Sequence, residues 1–142
     1  MAATIHRTYI VGIHPVQAAL LAGTVPLFLG ALLTDIAYAK TYEIQWSNFA
    51  SWLLVAALVI GALALVWAVV DLFRFDRRIG RDWIYALVVL AMWITGLFAA
   101  IVHGKDAWAM MPGGLVLSAI ATVLALIATW MGFSRRRVEV TP

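Results

Sequence analysis

Apolar positions along the chain gather into four long runs, at residues 16–39, 49–73, 83–103 and 114–132, separated by short polar segments. A helix crossing the hydrocarbon of a bilayer needs roughly 20 apolar residues at about 1.5 Å each, and every run meets that length. The pattern predicts an all-α fold, an integral membrane up-down four-helix bundle that makes residues 1–142 a single domain. The punctuation agrees with it. Pro15 suits a first helical position, where a missing N–H costs nothing, and Pro112 is placed to open the fourth helix. Asp82 is expected to cap the third, and Gly104 to end it in the left-handed conformation. Pro26, inside the first run, predicts a kink.

Small residues recur along each run in steps of three and four, the spacing of one helix face. The second carries Ala57, Gly61, Ala64, Ala68 and then Asp71; the fourth carries Gly114, Ser118, Ala121, Ala125, Ala128 and Gly132. Lipid tails are as apolar as leucine, so helices associate where small side chains let backbones approach. Gly23, Gly30, Gly61, Gly96, Gly114 and Gly132 are the expected packing positions, with crossing angles near about +20°. The two halves, each a helical hairpin, show no sequence repeat.

Composition strengthens the membrane reading. Hydrophobic residues make up 65% of the chain and charged residues 12%, whereas a soluble domain carries about 25% charged residues. The net charge of +3 reflects arginines beside the apolar runs and not a nucleic-acid surface. With no cysteine, disulfides and thiolate metal sites are excluded. Eight arginines (Arg7, Arg74, Arg77, Arg78, Arg81, Arg135, Arg136 and Arg137) fall on one side of the four spans, and Lys40 and Lys105 on the other. By the positive-inside rule both termini are expected in the cytoplasm. Arg7, the first run and Ala37 to Ala39 resemble a signal peptide, but the run is longer than an h-region, so a retained span is expected. Tyr38, Tyr42, Trp46, Trp52 and Trp108 are expected to form an outer aromatic belt. Tyr9, Trp83, Tyr85, Trp130 and Phe133 would form an inner one, with Trp67 and Trp93 packing deeper against lipid or a partner.

Few polar groups remain to carry chemistry. Ionisable side chains inside a bilayer are costly and usually face the bundle interior. Asp35 and Asp71 each fall in the expected final turn of a span, against the preference of a helix C-terminus for cations. Asp71 continues a small-residue stripe and is expected to point inward and pair with Arg74. His103 is expected on the packed side of its helix, either capping it or stabilised by Asp35 or Asp106. His14 precedes Pro15 at a helix start and is expected to cap free amides or to meet a loop arginine. The helices of His14 and His103 are read as antiparallel, with the two imidazoles at opposite faces, too far apart to share one haem. A haem held by the same histidine from two copies is the remaining arrangement. No metal-ligand spacing, P-loop, nucleophile elbow or dinucleotide fingerprint is present, so no catalytic residue is assigned and enzymatic activity is not expected.

Several segments together resemble the bacterial membrane proteins grouped as domain of unknown function 2231: "IHP" at 13–15, "TD" at 34–35, "VD" at 70–71, and "VHGKDAW" at 102–108 followed by "MPGGLVLSAI". The resemblance spans Gly12 to Gly132 and carries over His14, Pro15, Asp35, Asp71, His103, Asp106 and Trp108. Many members have a further histidine early in the third span, where this chain reads "WIYA". The resemblance implies a four-helix membrane protein and brings no activity with it. The leading expectation is a small polytopic protein of the bacterial inner membrane, a subunit or accessory of a larger assembly or a homo-oligomer. The alternative is a proton- or electron-handling protein using the span-end His and Asp groups. A small oligomeric transporter is the weaker third.

Overall fold

The computed structural model describes residues 7–11, 13–74, 80–105, 107–134 and 136–140. Four long helices, α1 (Pro15–Thr41), α2 (Ile44–Arg74), α3 (Gly80–His103) and α5 (Gly113–Phe133), follow the four apolar runs, with a single-turn helix α4 (Ala107–Met110) before the last. All four are long and apolar enough to cross a membrane. They form a ring in which α1 packs on α2 and α5, and α3 on the same two. The all-α bundle carries one addition that periodicity did not predict. Strand β1 (Arg7–Val11) pairs antiparallel with β2 (Arg136–Val140), Arg7 opposite Val140 and Val11 opposite Arg136. This ribbon ties both ends of the chain to the same end of the bundle.

The ends of the helices show where local signals competed. His14 is the N-cap of α1 and Pro15 its first residue. The helix runs unbroken through Pro26 to Thr41, and it is Tyr42, at φ 56°, that takes the left-handed position. Because α1 continues past its apolar run, Asp35 lies six residues short of the end and not in the last turn. Helix α3 starts at Gly80, so Asp82 falls within its first turn instead of capping it. No glycine among the described residues has a positive φ. Gly104 ends α3 differently, its N–H shared between the carbonyls of Ala100 and Ile101, both at 3.2 Å.

The core is a seam of small and medium side chains. Helix α2 buries Ala50, Leu54, Ala57, Gly61, Ala64 and Ala68, and α5 buries Gly114, Ser118, Ala121, Ala125, Ala128 and Gly132. The stripes read from the sequence thus face inward within one chain. On α2 the buried face continues through Leu72, while Asp71 is half-buried. Three glycines are closely met: a Cβ on Gly96 would lie 2.8 Å from the Phe28 ring, one on Gly132 2.8 Å from Leu21, and one on Gly114 2.9 Å from Met110. Gly23, 3.7 Å from its nearest neighbour, has room.

Large apolar side chains point outward all along the bundle, among them Leu33, Val59, Val66, Ile84 and Val123. Such a surface is stable against lipid and not against water. Two aromatic positions differ from the belt expected of them: Tyr38 and Tyr85 are buried. Trp93 is half-buried and donates its indole N–H to the Leu58 carbonyl at 3.1 Å within its own bundle. Trp46, Trp52, Trp83 and Trp130 are exposed, as a lipid-facing aromatic should be.

Candidate functional site

Helices α1 and α3 face each other across the centre of the bundle, and their side chains meet level by level. Gln17 Nε2 donates to Tyr85 Oη at 3.0 Å, and Thr24 Oγ1 lies 3.9 Å from Met92 Sδ. Phe28 fills the notch left by Gly96, and Asp35 meets His103. Contacts that keep one sequence offset belong to helices running in the same direction, so α1 and α3 are parallel and not antiparallel. His14 begins one and His103 ends the other, and the two imidazoles do lie at opposite ends.

At the end carrying the Lys105 turn sits a buried polar triad. His103 Nε2 and Asp35 Oδ1 are 2.7 Å apart, with side-chain exposures of 1% and 0%. Ser118 donates its hydroxyl to Asp35 Oδ2 at 2.6 Å. His103 Nδ1 lies 2.7 Å from the carbonyl oxygen of Ala99, one turn back on its own helix. A carbonyl oxygen only accepts, so Nδ1 carries hydrogen and the ring orientation is set. The Nε2–Oδ1 contact then requires one further proton, because two bare acceptors at that distance repel. That proton makes either an imidazolium facing a carboxylate or a neutral imidazole facing a carboxylic acid. Asp35, His103 and Ser118 come from three helices, and each is placed by the same inward-facing spacing that buries its neighbours.

The triad is closed off on the side of the Lys105 turn. Met110, buried at the end of α4, presses its side chain toward Gly114, whose Cα region also touches the His103 ring; a Cβ there would lie 3.0 Å from His103 Cε1. Ser47 Oγ lies 3.4 Å from Met110 Sδ, which holds this stopper against α2. On the opposite side, Ala31 and Phe28, both fully buried, separate the triad from Thr24 and, farther along α1, from Gln17 and its partner Tyr85.

A family model described as a predicted membrane protein, DUF2231, matches residues 12–138. The chain belongs to this family. No curated protein and no solved structure matches it. Of the DUF2231 positions carried over from the sequence, the structure brings together Asp35 and His103. His14 lies at the far end, where its Nδ1 accepts from the Val16 N–H at 3.3 Å and its ring stacks on Trp67, centroids 4.9 Å apart. Asp71 belongs to that far end too, near the close of α2; the Arg74 side chain and Asp106 lie outside the described residues. Among the described residues no three His, Asp or Glu side chains cluster as metal ligands would. In the sequence Ser118 stands only as a member of a small-residue stripe. The signal that singles it out is being the one hydroxyl in that stripe, at a level facing Asp35.

Proposed function

We propose that this membrane protein handles protons, binding and releasing one at the Asp35–His103–Ser118 triad, in a bacterial inner membrane. The observation that carries the reading is that both ring nitrogens of a buried histidine face acceptors, so the pair needs a shared proton to exist. In a low-dielectric interior, losing that proton would leave an unpaired acceptor contact that burial makes expensive. Asp35 is the ionisable side chain facing His103 from α1; α5 presents Ser118 and Gly114, and α4 presents Met110. Ala31 and Phe28 lie beneath the triad and Met110 above it, so exchange at the side of the Lys105 turn requires the Met110 side chain to move aside, and the packing favours this over conduction through the bundle. With the arginines placing the chain ends inside, that face is the outer one.

The same contacts weigh on the neighbouring readings. Haem ligation by His103 would have to break its bond to Asp35 or to Ala99, so the electron-handling branch draws no support from this geometry. The expectation of partner subunits or a homo-oligomer rested on small-residue faces, and these are spent inside the chain. Association would have to use the large lipid-facing side chains instead. The test is proton uptake by the purified chain in liposomes, followed with a pH-indicating dye after a pH jump. The unaltered chain should take up or release about one proton per molecule, and Asp35→Asn and His103→Gln should abolish that step. Equal uptake by all three would sink the proposal.

A further inference from the structure

The contacts across the bundle centre obey one rule. Gln17 and Tyr85, Thr24 and Met92, and Asp35 and His103 are each separated by 68 residues. The same step carries Leu21, Phe28 and Ala31 of α1, all buried, onto Val89, Gly96 and Ala99 of α3, which are buried as well. A second fixed step relates the flanking helices. Ala50, Leu54, Ala57, Gly61, Ala64 and Ala68 of α2 map onto Gly114, Ser118, Ala121, Ala125, Ala128 and Gly132 of α5, each 64 residues on (118 against 54), and both sets are buried. The ring order α1, α2, α3, α5 completes the relation. A half-turn about the bundle axis exchanges α1 with α3 and α2 with α5.

We infer that α1–α2 and α3–α5 are a duplicated hairpin, and that Ser118 is the positioning residue that gives the central pair its polarity by seating the carboxyl on α1. Asp35 and His103 occupy one position in the two copies. Their surroundings differ where Ser118 stands on α5 and its counterpart Leu54 stands on α2. Asp35 therefore has a hydroxyl donor 2.6 Å from Oδ2, while Leu54, at the corresponding position of α2, has no hydroxyl to offer. A carboxyl has two oxygens to satisfy, and His103 reaches only one of them. The imidazole has two nitrogens, and Ala99 on its own helix already takes the second. The acid belongs on the side with the hydroxyl.

This deepens the proton-site reading and rests on it for what the pair does, but its readout is a band position and not proton uptake, so either can fail alone. The measurement is infrared spectroscopy of the full chain in detergent with carboxyl-labelled aspartate, the Asp35 band being identified by its loss in Asp35→Asn. Ser118→Ala should shift that band, and Ser118→Thr, which keeps the hydroxyl, should return it. An unshifted band in Ser118→Ala overturns the role of Ser118. Where Ser118→Ala does not fold, the reversal decides: Asp35→His with His103→Asp, alone or joined to Leu54→Ser and Ser118→Leu. The fourfold exchange should restore a higher thermal midpoint than the twofold one. Equal midpoints overturn the duplicated-hairpin assignment of Leu54 and Ser118 as counterparts.

Discussion

His103 holds two acceptors at once, and its neighbours explain why an imidazole stands there. Ala99 and Asp35 each need a donor, and Ser118 supplies the third bond that the carboxyl would otherwise lack. Asp35→Ala removes one partner and leaves His103 Nε2 and the Ser118 hydroxyl facing a void. Breaking a buried pair from one side costs about 3–5 kcal/mol. Replacing both members by leucine, which leaves neither uncompensated, should cost less than Asp35→Ala alone. Unfolding of the three chains in micelles measures this, and a double variant at least as damaged as the single would contradict it. Asp35 and His103 were legible as the residues to test, because charge inside an apolar run is rare. Their union was not, since Asp106 competed equally as the partner of His103 and nothing local chooses between them.

At the scale of the helix, the bundle is set by how closely backbones approach. Gly96 and Phe28 are the clearest case: the glycine makes the notch and the aromatic ring fills it. Gly96→Ala should destabilise by about 1–3 kcal/mol through overpacking, and Phe28→Leu in the same chain should relieve part of it. Gly23→Ala, with its nearest neighbour at 3.7 Å, should be neutral or stabilise by up to about 1 kcal/mol, as alanine is the better helix former. Gly96→Ala should therefore lower the thermal midpoint, while Gly23→Ala should leave it unchanged or raise it. The small-residue periodicity announced these faces. It could not say that they pack on each other within one chain, because the same spacing serves contacts within and between molecules.

For the whole molecule, topology follows from counting spans and from the ribbon that joins the chain ends. β1 and β2 pair only if the last helix closes at the end where the first one opens, which four crossings allow. Reporter fusions at the amino terminus and in the Lys105 turn should fall in opposite compartments, the amino end cytoplasmic. Both reporting one compartment would overturn the orientation and the outward access of the triad with it. The ribbon itself is not legible in the sequence: its strands are five residues long and acquire a ladder only from each other, over a separation nearly as long as the chain.

The number of spans, the all-helical bundle, the membrane setting and the family were already written in the order of residues. Each depends on local quantities, namely the length of an apolar run, the rarity of charge within it, and the order of short motifs. The triad, the stopper at Met110 and the relation between the two hairpins came from the tertiary structure alone. Asp35, His103 and Ser118 are spread across three helices, and their meeting depends on the rotation of each helix about its own axis. That rotation is decided by how all four helices share one interior, and no single stretch of chain contains it.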